Sequence, residues 1–232
     1  MKKPMSLFDF FRKKTTMPAP TKEKEQAMPE ADEKAAGQWH KRKSALMEER
    51  LGKAHKRVMH AIPSYAIGGS LDLYYYPNGA GTAIATKELS ELPGQGSSNH
   101  VFQCYELVMF TRQPLDLDAT EDENPAFWEA HAAINAVLNA IARYSAEATL
   151  DPTETCQFPA DYSPTVGGRC LIFDGYPSYC ADERAEFGLL AVIEVFPSEM
   201  EYAMEHGGAE LLQRLKAKGH YPYSDLDREP VV

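Results

Sequence analysis

The sequence predicts an α+β fold: a mostly antiparallel central sheet with helices packed on it. Three observations lead there. Runs with the two-residue alternation of strands come first and runs with helical spacing close the chain, an order that segregates sheet from helix. Hydrophobic residues make up 44% of the 232-residue chain and aromatics 10%, enough for a substantial core. The segment that carries these patterns, about 170 residues, has the size of one domain.

Residues 1–36 read as a disordered or linker-like tail. From 13 to 38 the chain is rich in Lys, Glu, Ala, Pro and Thr and nearly devoid of bulky apolar groups, so it has little surface to bury against the entropy of ordering. Residues 37–62 predict a basic helix. Trp39, Leu46, Leu51, Ala54, Val58 and Ile62 give it a broken helical period among Lys41, Arg42, Lys43, Lys53, Lys56 and Arg57, with Pro63 as its stop. Such a helix either docks on the body through Trp39 and Leu46 or presents its charge to a nucleic acid or an acidic partner.

The domain proper spans 63–232. Leu71, Leu73 and Tyr75 alternate with Asp72, Tyr74 and Tyr76 in a first strand, closed by a turn at Pro77, Asn78 and Gly79. Thr82 to Thr86 returns as its hairpin partner, across a loop somewhat longer than two residues. After the Gly, Pro and Ser cluster at 93–98, His100 to Thr111 is the longest strand. Phe102, Cys104, Glu106, Val108 and Phe110 share one face, and Val101, Gln103, Tyr105, Leu107 and Met109 the other, so both faces are largely apolar and the strand is central.

Asn124 and Pro125 open a helix in which Phe127, His131, Ile134, Leu138 and Ile141 recur at spacings of three and four, ending near Ala148. Arg169 to Phe173 and Leu189 to Phe196 are further strands, separated by a turn-rich insertion at Asp174 to Pro177. Ser198 with Glu201 reads as a capping box. A last helix, Ala209 to Lys218, follows Gly207 and Gly208 and is anchored by Leu211, Leu212 and Leu215.

Charge narrows the functional classes. Residues 1–60 carry 15 basic and 8 acidic side chains (+7), whereas 61–232 carry 9 basic and 26 acidic (−17), within a total of −10. An acidic body repels phosphate backbones and attracts basic proteins, so nucleic acid is disfavoured except through the basic head. No run reaches the roughly 20 apolar residues of a membrane helix, and the Leu7 to Phe11 patch lacks a cleavage site, which predicts a cytoplasmic protein. Cys104, Cys156, Cys170 and Cys180 include no CxxC pair and read as reduced thiols.

Motifs of catalysis are missing. The glycine pairs precede strand-like residues, where a phosphate-binding loop would lead into a helix; there is no GxSxG or HExxH, and seven dispersed histidines lack ligand spacing. Neither a metal nor a cofactor is predicted. His100 and Cys104 could form a thiol–base pair, but four residues along a strand separate them by about 13 Å, and Cys104 fits a core position better. Asp72, Glu106, Asp174 and Glu194 could supply general acid and base; the alternative puts Asp72 and Glu194 at the solvent, on the exposed phase of their strands, and has Glu106 held by a partner. Glu106 is the exceptional one, since it shares a face with core residues and needs a specific partner, Arg112 or Arg143 being candidates. Tyr74 and Tyr76, with Asp174, Tyr176 and Tyr179, are candidates for a partner-binding surface, because tyrosine joins a large contact area to a hydrogen-bonding tip; ordinary strand packing would use the same residues.

The order of these segments resembles the Suppressor of fused-like domain family. LDLYYYPNGAGTAIATKEL at 71–89, YELVMFTR at 105–112, IARYS at 141–145, LLAVIEVFPSEMEYAMEHGGAELLQRL at 189–215 and the Asp225 to Arg228 element carry the resemblance. It covers about 65–232 and leaves the basic head outside. The resemblance implies an α+β binding module without catalytic residues. The family's animal protein sequesters a zinc-finger transcription factor, and bacterial members are regarded as immunity proteins against polymorphic toxins. The expectation is therefore a bacterial immunity protein whose acidic body binds a basic toxin domain. A small hydrolase using Glu106 or Cys104, or an adaptor with a partner-binding head, are the alternatives.

Overall fold

The computed structural model describes residues 30–79, 81–92, 94–177 and 183–232, with side chains from residue 34 onward. Helix α1 (Glu30–Leu51) is followed by β1 (Val58–Met59), a 3-10 turn (Tyr65–Ile67), β2 (Leu73–Asn78), β3 (Gly81–Ala85) and β4 (Phe102–Thr111). Then come α2 (Pro125–Ser145), β5 (Thr155–Gln157), β6 (Cys170–Tyr176), β7 (Ala185–Val195), α3 (Pro197–His206) and α4 (Gly208–Ala217). The strands form one seven-stranded sheet in the order β1-β2-β3-β4-β7-β6-β5. Every pairing is antiparallel except that of β4 with β7, so the fold is the mostly antiparallel α+β class that the sequence predicts.

Both faces of the sheet are covered, as the two apolar faces of β4 require. On one side α2 lays Ile134, Val137, Leu138 and Ile141 on Tyr75, Tyr105, Leu107, Phe173 and Val192. On the other side Trp39, Met47 and Leu51 of α1, with Leu211, Leu212 and Leu215 of α4, meet Tyr76, Val108, Phe110, Leu189 and Ile193. The period-two alternation of β4 thus feeds two separate cores, and a one-residue slip would invert both.

Several boundaries differ from the sequence expectation. The basic helix runs Glu30–Leu51, not 37–62: Gly52 takes φ +91° and donates to Glu48 O at 3.0 Å, and Val58 and Met59 then pair with Tyr74 and Leu73. Pro77 lies inside β2, opposite Thr82, beyond the end of two-residue β1, where its missing N–H leaves no partner unsatisfied. The hairpin loop is accordingly two residues, between the paired Asn78 and Gly81. Gly81 is obligatory there, since a Cβ would sit 2.1 Å from Thr111 O. Asp174, Gly175 and Tyr176, read as a turn, continue β6 opposite Ala191, Leu190 and Leu189, and β7 begins four residues early because Ala185 pairs with Phe102. β5 was not anticipated; three residues give too little alternation to detect.

Helix ends follow local chemistry. Asn124 Oδ1 accepts from Phe127 N at 3.3 Å with Pro125 in the first turn, as expected, but α2 stops at Ser145. The cap of α3 lies two residues before the expected Ser198 and Glu201: Phe196 is the cap residue and Glu199 Oε2 accepts from its N–H at 2.9 Å.

Candidate functional site

Glu106 is fully buried in β4, and it does have a specific partner. That partner is neither Arg112 nor Arg143 but Lys43 of α1, whose Nζ lies 2.7 Å from Oε1, the two side chains being 1% and 0% exposed. Lys43 also donates to the carbonyls of Lys87 and Ser90 at 2.6 and 2.7 Å. Glu106 further accepts from the Thr86 and Ser90 hydroxyls and from the Leu89 and Ser90 N–H groups, at 2.6 to 3.1 Å. With both oxygens occupied and no path to solvent, this carboxylate is arranged to hold α1 on the sheet. Trp39, one turn before Lys43, completes the clasp by donating Nε1 to Ser90 O at 2.7 Å. Arg112 instead lies over the ring of Tyr223, and Arg143 donates to Gly69 O.

The other candidate catalytic groups are separated or engaged. Cys104 is buried and points its Sγ to Glu186 O at 3.1 Å, whereas His100 is exposed and pairs with Asp151. Burial pushes the Cys104 thiol up, and it pushes Cys156 up to about 12. Iodoacetamide should therefore modify Cys104, Cys156 and Cys170 at least about tenfold more slowly in the native chain than in urea, as peptide mass mapping would show. Labelling of native Cys104 at the unfolded rate would revive a thiol mechanism. Glu194, expected at the solvent, is 7% exposed and paired with Arg169 at 2.5 Å; burial raises its carboxyl, opposed by Arg169. Asp72 accepts from Ala61 N and pairs with His60. Among the described residues no group of three or more His, Cys, Asp or Glu is placed to hold a metal ion, and no helix is long and apolar enough to cross a membrane.

The tyrosines divide by strand phase. Tyr76, a candidate for the binding surface, is fully buried beneath α1, its hydroxyl 3.9 Å from Met47 Sδ. Tyr75 faces α2 and bonds His131 at 2.9 Å. Tyr74 is half-buried under Lys87, whose Nζ stands 4.5 Å from the ring centroid. The later pair fares differently. Tyr176 is half-buried, its ring 4.7 Å from Phe110 and 6.5 Å from Tyr221, and Asp174 beside it accepts from Lys216 at 3.0 Å. Tyr223, with Arg112 stacked 4.4 Å above it, extends this half-exposed aromatic strip along the α4 side of the sheet. Tyr179 lies outside the described residues. The structure thus brings Asp174 and Tyr176 together and sets Tyr74 and Tyr76 apart from them. The strip's remaining members, Tyr221, Tyr223 and Lys216, have no distinct signal in the sequence.

The profile of the family described as Suppressor of fused protein (SUFU) matches residues 70–229. The chain belongs to the Suppressor of fused family. No curated protein matches it significantly in sequence. Among solved structures, the Sufu–Fu complex is similar at TM-score 0.56 and 15% identity, over 85% of this chain and 92% of the other. Drosophila Suppressor of Fused is similar at TM-score 0.44 and 20% identity, over 66% of this chain and 40% of the other. A putative SUFU homologue from Neisseria gonorrhoeae gives TM-score 0.43 and 11% identity, over 85% and 95%.

Within the SUFU-matched span, the closing element is a structural seam. Asp225 accepts from Thr111 Oγ1 at 2.5 Å and from Arg112 N at 2.7 Å, and Arg228 forms a bidentate pair with Glu199 at 2.6 and 2.8 Å. Lys43 lies outside that span, so the domain's buried Glu106 is neutralised by a helix appended before it. Sequence reading missed this because Lys43 looked like part of a basic run. The available signal was the four-residue stripe Trp39, Lys43, Met47 and Leu51, all buried.

Proposed function

We propose that this SUFU-family chain is a non-enzymatic binding module whose acidic domain engages a basic protein, in the manner of an immunity protein that neutralises a basic toxin domain. The observation that carries the proposal is the −17 charge of residues 61–232 on a domain of this family. A structural relative is itself seen in complex with a protein, Fu. The saturation of Glu106 and the burial of Cys104 favour binding over hydrolysis. Three basic groups of the head, Lys43, Arg42 and Arg57, pair with Glu106, Glu186 and Asp118, which favours docking of this helix on the domain.

The strip around Tyr176 is the proposed contact, since half-exposed tyrosines suit a partner's side chains; Asp174 within it is buried and already paired with Lys216, so the attraction for a basic partner comes from the domain's overall charge. The test is retention of a basic toxin domain encoded beside this chain on the immobilised full chain, from about 50 to about 500 mM NaCl. Binding should weaken steeply with salt and fall at least about tenfold in Tyr176→Ala, with the circular dichroism spectrum unchanged. Salt-insensitive binding, or none, would sink the electrostatic reading.

A further inference from the structure

Two isoleucines stand out on the surface: Ile62 is 97% and Ile67 73% exposed, with Pro63 and Ala66 exposed between them. They sit on a locked knuckle. Gly69 N donates to Ser64 O at 2.9 Å and Ser70 N to Pro63 O at 3.2 Å, an approach so close that a Cβ on Gly69 would lie 1.9 Å from Pro63 O. Two further bonds fix the knuckle to the end of α2, from the Tyr65 hydroxyl to Ala142 O at 3.0 Å and from Arg143 Nη2 to Gly69 O at 3.1 Å. A loop held this firmly shows its apolar side chains to solvent at little further ordering cost, which favours association.

Tyr65 also lines a recess of about 530 Å³ beside the knuckle, together with Glu88, Ser97, Ser98, Ser145 and Glu147. None of its lining residues is basic. It opens at the C-terminal end of α2, where the helix dipole favours cations. Burial raises the Glu88 carboxyl, a hydrogen bond from Asp72 N at 2.7 Å partly offsets this, and the charges of Asp72, Glu106 and Glu91 raise it further, so a cation seated there would be favoured. Beneath it, Tyr105 is fully buried, its hydroxyl beside the Ser97 and Ser145 hydroxyls, which line the recess and bond each other at 2.8 Å. Serine hydroxyls at the wall of the recess can accept hydrogen bonds from a polar group entering from outside.

We propose that the Ile62–Ile67 knuckle and the adjoining acidic recess form one docking surface, for a protein segment that carries a Lys or Arg beside an apolar side chain. The cationic head enters among Glu88, Glu147 and the serines while its apolar neighbour packs on Ile62 and Ile67. This rests on the protein-binding reading and places a contact well apart from the Tyr176 strip.

A random peptide library displayed on phage, panned against the immobilised full chain, tests it. The expected winners carry Lys or Arg within a few residues of an aliphatic or aromatic side chain. They should lose at least about tenfold in affinity to Ile62→Ser/Ile67→Ser, at two exposed positions, and to Glu88→Gln/Glu147→Gln, with an unchanged circular dichroism spectrum showing that each variant is folded. Peptides that bind both variants undiminished would overturn this surface while leaving the protein-binding reading standing. Winners without a basic residue, or no enrichment, would also overturn it. So would a concentration-dependent dimer of the chain that Ile62→Ser/Ile67→Ser abolishes, which would make a second copy the occupant.

Discussion

Lys43→Ala is expected to lower the free energy of unfolding by about 3–5 kcal/mol, the cost of leaving a buried carboxylate without its counter-charge. Glu106 would keep four hydrogen bonds, from Thr86, Leu89 and Ser90, but lose the cation that pairs with it. Against the roughly 5–15 kcal/mol that holds a typical domain folded, this is a large fraction. The loss should be visible as a lower urea midpoint. Glu106→Gln should be costly for the complementary reason, since it strands the Lys43 ammonium among the Lys87 and Ser90 carbonyls. A double replacement, Lys43→Met/Glu106→Gln, removes both charges at once, so its cost should fall well short of the sum of the singles. Additivity would mean that the two groups do not act as a pair. Because Lys43 is carried by α1, hydrogen exchange should locate the loosening first in residues 34–51 and in the Lys87–Ser90 turn.

Arg228→Ala is the second large effect, again about 3–5 kcal/mol near neutral pH. The Arg228–Glu199 pair is 4% and 0% exposed, and Glu199 simultaneously accepts the Phe196 N–H that starts α3 and the Val231 N–H of the C-terminal tail. Burial opposes the charge of Glu199, but the bonds from Arg228, Phe196 and Val231 outweigh it and hold the carboxyl below its ordinary value of 4.5. A carboxyl lowered by folding stabilises the protein above its unfolded pKa, and that stability is lost as pH falls through the folded value. The gap between wild type and Arg228→Ala should therefore be widest near neutral pH and close as pH falls below 4.5 through the lowered value, where the wild-type Glu199 protonates. Glu194 works with the opposite sign. Its carboxyl is raised, so its contribution is most favourable below 4.5 and declines as pH rises through the raised value. Urea titrations of the wild type and Arg228→Ala at several pH values check this; a gap that persists unchanged into acid would show that Glu199 is not the group responsible.

Much of the architecture was legible because periodicity is local. The two-residue alternation of β4 disclosed a central strand with two apolar faces, and the spacing of Phe127, His131, Ile134, Leu138 and Ile141 disclosed α2, all five of which are buried. Glu106 was recognisable as a buried charge in need of a partner from its phase alone. Its partner was not, because a contact across 63 residues of sequence depends on where α1 lands on the sheet. Tyr74 and Tyr76 share a phase, yet one is half-exposed and the other sealed, because Tyr76 lies under α1. The same limit hid the strip of Tyr176, Tyr221 and Tyr223, assembled from β6 and the tail, and the recess that joins Tyr65 to the end of α2.

By itself, then, the sequence determined the fold class, the charge division near residue 60 and the family, since each is written in composition or in short-range order. Only the tertiary structure decided which charges are buried in pairs, which tyrosines reach solvent, and that Glu30–Leu51 of the basic head is a helix clasped to the domain. Those outcomes depend on long-range packing, where a single fully buried charge must find its counter-charge on another element, and no local pattern specifies which one it will meet.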